Sequence, residues 1–347
     1  SHRWIIKTAY AHTANANCVR NAEMEIIMPG YITHYLFGRE SYHRITSAAF
    51  KHNISRNHAA YTLGQQGPDI FFYFLPSYCI HSSNIGALAH RKETNAFFRG
   101  LFLSCQRFTG DDLEIAKAYL AGFMGHYTLD TICHPYVYAR TDYEQGKGDY
   151  FSRHAYLETD IDTKLLYMKL HRRPGNFRAA DTIKLTFRQR RVIARMLNDA
   201  YHYAFPNLAI HPVMMLIGIF SMQLGLALLH DDSGQKKVFY RLIEKHLIGY
   251  PVFSPLVASN QLYFRTDPFN LQGKAWTNPW DETLISNETF FDLYQKAQKK
   301  FLSRMKRLSV IFYDSTSMRE KEEQLKLLLK EYGNLSFHSG LDASIPS

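Results

Sequence analysis

The sequence predicts an all-α, multi-helical fold. Apolar residues recur at helical spacing along most of the chain, as in Leu113, Ala116, Leu120, Phe123 and Tyr127, while sustained period-two alternation is nearly absent. Size and composition agree with this. At 347 residues, 46% hydrophobic, 14% aromatic and 21% charged, the chain can bury a large core without disulfides, and disorder is excluded for most of it. The four cysteines (Cys18, Cys79, Cys105 and Cys133) form no CxxC pair, so a disulfide scaffold is not expected and a reducing compartment suits them.

In chain order, residues 1–27 lack the continuous apolar core of a secretory signal and are expected to be loosely ordered. The expected address is the cytoplasm, with secretion left open. Residues 28–315 form the expected helical domain. Thr109-Gly110-Asp111-Asp112 starts a helix that Pro135 is expected to close, and Ser286-Asn287 precedes another over 288–308. Breakers at Gly146-Lys147-Gly148, Arg173-Pro174-Gly175 and Thr266-Asp267-Pro268 mark connections. The longest apolar run, 213–229, holds Ser221, Gln223 and two glycines and falls short of the roughly 20 residues a bilayer-spanning helix needs, so it reads as a buried core helix. Residues 316–347 are expected to be an appendage, with a charged amphipathic helix over 318–332, a stop at Gly333 and a polar tail.

Lys plus Arg number 41 against 31 Asp plus Glu, a net charge of +10 that favours phosphate-bearing partners such as nucleic acid or an anionic lipid surface. Two basic stretches, one with Arg188, Arg190, Arg191 and Arg195 and the other with Lys296, Lys299, Lys300, Arg304, Lys306 and Arg307, read as solvated helix faces. The aromatic cluster of Phe71, Phe72, Tyr73 and Phe74, and the pair Phe97 and Phe98, read as core.

Chemistry concentrates in residues 122–162. His126, Asp130 and His134 lie four apart, so on a helix they form one stripe that drifts by about 40° and rises about 6 Å per step. The Asp130 carboxylate has two oxygens and can serve two neighbouring ions. His154 and Glu158 repeat the four-residue spacing, which lets two helical side chains converge on one ion. A single buried imidazole is more often just hydrogen-bonded, but five such donors at helical spacing within 33 residues point to metal. A set made of His and carboxylate, without Cys, argues for an open, water-bearing site. On its own, Asp69 in Gly67-Pro68-Asp69 reads equally well as a turn or cap residue.

These motifs resemble those of the zinc-dependent phospholipase C family, whose fold is shared with zinc-dependent single-strand nucleases. The family's helical H-x-x-x-D followed by H and then H-x-x-x-[ED] reads here as His126, Asp130, His134, His154 and Glu158. Similarity extends to MPGYITHYLFG (28–38), LGQQGPDIFFY (63–73), IGALAHRKETNAFF (85–98) and DPFNLQGKAWTNPWDETLISNETFFDL (267–293). The resemblance implies two or three zinc ions in a cleft of an all-α domain. The first would be held by Asp69, His90, His126 and Asp130, and the second by His134, His154 and Glu158. A third would bind His34 and be bridged by Asp130. His90 is preferred to His81 because its surroundings match the family segment better. Asp69 would also orient or deprotonate the attacking water.

The chain departs from the family at the third ion, where an N-terminal Trp supplies amine and carbonyl; Trp4 lies far upstream of His34. A native start at Met28, with Met removed, would instead put the amine of Pro29 five residues before His34; this hypothesis fails if natural protein retains residues 1–27 by intact mass. The implied activity is hydrolysis of a phospholipid-like phosphodiester by metal-activated hydroxide, with peripheral membrane contact and no obligate protein partner. The rival readings are a single-strand nuclease or general phosphodiesterase on the same centre, and a non-catalytic helical zinc-binding protein.

Overall fold

A 31-residue helix, Gly110–Arg140, runs through the middle of the structure, and from Ile115 to Tyr138 only Ile132 escapes burial. The computed structural model describes residues 30–74, 76–77, 84–143, 148–247, 251, 254–258, 260 and 267–344. The N-terminal stretch 1–27, Met28-Pro29, His81, Cys18, Cys79 and Lys147 lie outside the described residues, as do the expectations placed on them.

The first elements are α1 (Tyr31–Arg44), α2 (Ala48–Arg56), α3 (His58–Gly64), a 3₁₀ turn (Gly67–Tyr73), α4 (Ile85–Arg91) and α5 (Thr94–Cys105). The central helix is α6, followed by α7 (Gly148–Leu170), α8 (Ala179–Thr182), α9 (Phe187–Ala204), α10 (Pro212–Leu229) and α11 (Gln235–Leu247). A small antiparallel hairpin, β1 (Trp276–Asn278) and β2 (Asp281–Ser286), precedes α12 (Phe290–Tyr313) and α13 (Met318–Tyr332). The fold is all-α with this one hairpin among the described residues, as the periodicity predicts.

A helix buried on nearly every side must be covered all round, and α6 packs against α1, α3, α5, α9 and α12. The tightest crossing is with α3. A Cβ on Gly64 would lie 2.3 Å from the carbonyl oxygen of Tyr119, and one on Gly122 would lie 2.2 Å from that of Tyr61. Glycine at both positions lets the two backbones touch. This crossing delivers the following 3₁₀ turn directly to His126. The aromatic residues Phe71, Phe72, Phe74, Phe97 and Phe98 are buried in the core, while Tyr73 is half-buried.

Four expectations are corrected. Helix α6 does not end at Pro135 but continues to Arg140. Proline removes one amide donor and crowds the carbonyl of Thr131, yet burial around the helix holds it together, and Gly340 packs on that stretch. Its φ of +66° and the 2.5 Å that would separate its Cβ from the Thr131 oxygen admit only glycine. Helix α10 is not a core helix, since only 28% of it is buried. Its inner face carries Met215, Gly218, Ile219, Met222 and Leu226, whereas Val213, Ile217, Phe220, Leu224 and Leu228 are exposed. By length and composition it could cross a membrane.

The second basic stretch is not uniformly solvated either. Arg304 is fully buried, donates to the Thr128 hydroxyl and the Glu331 carbonyl at 2.6 Å each, and lies against the rings of Tyr127 and Tyr332. The C-terminal region, finally, is no appendage. Helix α13 buries Leu328 and Tyr332, with Tyr332 stacked on Tyr127 at a centroid distance of 3.7 Å, and the segment after it reaches the middle of the molecule. Burial of two aromatic faces outweighs the polar surface character that the charged sequence suggests.

Candidate metal centre

Five elements bring the eight sequence-predicted donors together. Helix α1 supplies His34, the 3₁₀ turn Asp69, α4 His90, α6 the stripe of His126, Asp130 and His134, and α7 the pair His154 and Glu158. All eight are buried. Gly67 sets the turn, because its φ is +49° and a Cβ there would lie 2.1 Å from the His126 ring. The carboxylate of Asp69 thereby sits 3.0 Å from His90 Nε2 and 3.9 Å from His126 Nε2.

Asp130 occupies the middle. One carboxylate oxygen lies 3.1 Å from His34 Nε2 and the other 3.0 Å from His126 Nε2. The rings of His34 and His126 stack at 4.4 Å. One turn further along α6, His134 Nε2 is 3.5 Å from Glu158, which also lies 3.1 Å from His154 Nε2. Three groups result, each with donor atoms close enough to hold one ion: Asp69, His90 and His126; His34, His126 and Asp130; His134, His154 and Glu158.

The opposite ring nitrogens explain why these Nε2 atoms face inward. His90 Nδ1 donates to the Gly86 carbonyl at 2.7 Å, His126 Nδ1 to that of Gln65 at 3.1 Å, and His134 Nδ1 to that of Phe337 at 2.9 Å. A backbone carbonyl can only accept, so each ring carries a proton on Nδ1, which leaves Nε2 as the atom that binds metal when the ring is neutral, the way metal-binding imidazoles are oriented. His154 Nδ1 pairs with the Tyr150 hydroxyl at 2.9 Å. The inward atoms are left over: His90, His126 and His154 Nε2, both Asp69 oxygens and one oxygen each of Asp130 and Glu158 find no hydrogen-bond partner. Orphaned buried polar atoms are rare and costly, and lone pairs of neutral imidazole and carboxylate are the donors zinc takes. The residues fit the metal.

Electrostatics point the same way. Burial pushes the Asp69 carboxyl up to about 8, with the nearby Asp130 charge adding to the effect. Burial also opposes ionisation of Asp130, but His126, His134 and His34 surround it and hold its pKa well below the usual value. Burial lowers His90 to about 4. His134, despite burial, is raised to about 9 by Asp130 and Glu158. Without a cation, burial and the neighbouring Asp130 charge both disfavour the Asp69 anion.

Two residues near the centre escaped the sequence reading. Phe337 lies with its ring 4.7 Å from that of His90 and 5.5 Å from that of His126, and its amide donates to the His90 carbonyl at 2.9 Å. His338 follows, buried, with its ring 5.7 Å from that of His90 and 6.3 Å from that of His134. Both sit in a polar tail with no periodicity to mark them. A cavity of about 30 Å³ adjoins the centre on the other side, lined by Gly30, His34, Asp130, His134 and Glu158 among others. The Pro29 amine proposed to complete the third group lies just outside the described residues, next to Gly30.

An all-α fold with a buried, cysteine-free cluster of imidazole and carboxylate donors defines a helical metal-dependent protein. Residues 30–205, just over half of the chain, match the family described as zinc dependent phospholipase C, and the chain belongs to that family. No curated protein and no solved structure matches it.

Proposed function

We propose that the protein is a zinc-dependent phosphodiesterase of the phospholipase C type, acting on a phospholipid-like phosphodiester. The observation that supports this best is the convergence of the three donor groups around Asp130, with their inward nitrogens and oxygens unspent. Zinc would be held by Asp69, His90 and His126, by His34, Asp130 and His126, and by His134, His154 and Glu158. Bound there, it supplies Lewis-acid stabilisation of phosphoryl oxygens and a nucleophilic water near neutral pH.

The chain's own residues do the rest. Asp69, an acidic donor in the group with His90 and His126, is the residue placed to orient the attacking water and accept its proton. Asp130 stays anionic and balances charge between the groups. The Gly86, Gln65 and Phe337 carbonyls hold three imidazoles in register, and the rings of Phe72, Phe337 and Tyr138 pack against these imidazoles.

The test uses purified full-length protein with bis-p-nitrophenyl phosphate, before and after chelation, followed by zinc restoration. Loss and recovery of hydrolysis is expected, with Asp69→Asn at least about a hundredfold slower. Diacylglycerol release from phosphatidylcholine should accompany it. Release of nucleotides from single-stranded DNA without lipid cleavage would move the reading to a nuclease, and hydrolysis that persists in zinc-free protein would end it.

A further inference from the structure

We infer that α10 and α11 form a docking surface for an anionic lipid bilayer. Helix α10 contains no charged residue, and its outward side chains Val213, Ile217, Phe220, Leu224 and Leu228 follow the four-three-four-four spacing of a single stripe. Phe220 is 54% exposed. The opposite face is fastened to the body: Gly218 packs on Phe71, and Gly225 lies so close to Tyr73 that a Cβ would come within 2.3 Å of its ring. With one side fastened to the body of the structure, the helix presents only its outer apolar stripe, the arrangement of a helix that lies in a membrane interface.

Helix α11 follows after a short link and repeats the arrangement. Val238, Phe239, Leu242 and Ile243 are exposed, with Phe239 at 58%. Its exposed charges, Lys236, Arg241 and Lys245, are all basic, and its one acid, Glu244, is turned inward where it accepts the Ser254 amide at 2.9 Å. Apolar side chains beside lysine and arginine, on a chain of net charge +10, match acyl chains beneath anionic headgroups. This charge complementarity selects the bilayer over a second copy of the chain, which would bring the same cations together.

The surface also lies next to the metal centre. Helix α10 rests on the 3₁₀ turn that carries Asp69. At its C-terminal end, Leu226 and Leu229 line a cavity of about 90 Å³ whose far wall is Gly30 and Asp162. Gly30 also borders the cavity beside His34 and Asp130. Docking through α10 and α11 would thus set the donor groups close to the headgroup layer.

The test is flotation of the full-length protein with phosphatidylcholine vesicles, with and without phosphatidylglycerol, at low and high salt. Binding is read without turnover, so its outcome is separable from that of the proposed hydrolysis. Wild type is expected to float with the anionic vesicles and to be released by salt. Phe220→Ser with Leu224→Ser, and separately Arg241→Glu with Lys245→Glu, should each weaken partitioning about tenfold or more. All of these side chains are exposed, and circular dichroism melts and zinc content should remain those of wild type. Absence of wild-type flotation, or flotation indifferent to both double variants, would overturn the proposal. So would a wild-type dimer in vesicle-free buffer that the Phe220/Leu224 variant converts to monomer, since a second copy would then own the surface.

Discussion

The backbone carbonyl of Phe337 accepts the Nδ1 proton of His134 at 2.9 Å, across 203 residues of chain. The C-terminal segment thereby fixes the tautomer and ring angle of a donor on the central helix. Partners of this kind are worth about 10- to 100-fold in metal affinity. Deleting residues 334–347 is therefore expected to weaken zinc at His134, His154 and Glu158 by that factor. Competition with a chromophoric chelator measures it. Phe337→Ala keeps the carbonyl but removes a buried ring, so its main effect should be on stability, about 3 kcal/mol by urea unfolding.

Asp130 should matter more than any other donor. Its two oxygens reach His34 and His126 in different directions, and it lies 3.8 Å from His134 Nδ1. Asp130→Asn removes the charge that these imidazoles surround, and at least one zinc per chain should be lost along with it. Glu158→Gln should affect only the group with His134 and His154. Metal analysis by mass spectrometry after gel filtration separates the two. Full zinc content in Asp130→Asn would mean that Asp130 does not hold the groups together.

Zinc uptake should be coupled to proton release. In the metal-free chain Asp69 titrates near 8 and His134 near 9, both raised, and both must lose their protons to bind metal. Between about pH 6 and about pH 8, affinity should rise steeply and titration in weakly buffered solution should release up to about two protons per chain. The same shifts set the stability of chelated protein. Each group binds its proton more tightly folded than unfolded, so its contribution is full below the unfolded value, about 4 for Asp and about 6.5 for His. It is lost as pH rises through about 8 for Asp69 and about 9 for His134. The melting temperature of chelated protein should fall across that range.

The donors on α6 and α7 were legible because helical periodicity alone places residues four apart on one face. Asp69, His90 and His34 became legible only through resemblance, since nothing in their local spacing says that α1, α4 and the 3₁₀ turn meet α6. What escaped depends on tertiary contact. Pro135 looks like a terminator unless the packing around it is known. The α10 run has the composition of a core helix, and sequence cannot say that only one of its sides finds a partner. Phe337 and His338 sit in a stretch without pattern, and tertiary contacts such as the Tyr332–Tyr127 stack bring that stretch back over the donors.

Arg304 offers a test of that last contact. Its guanidinium is buried, donates to the Thr128 hydroxyl on α6 and to the Glu331 carbonyl on α13, and lies 5.5 Å and 5.4 Å from the ring centroids of Tyr127 and Tyr332. A buried cation without hydrogen bonds is strongly unfavourable, and bonds to a charged group are worth about 1.5–3 kcal/mol each. Arg304→Ala should therefore cost about 3 kcal/mol or more in urea unfolding, because it also leaves the Glu331 carbonyl without its donor. Thr128→Val leaves the charge in place but removes one acceptor, and should cost about 1–3 kcal/mol. If the two residues act through one contact, the double variant will be less destabilised than the sum of the single variants. Strict additivity would mean that the guanidinium is held by α13 alone and does not join it to α6.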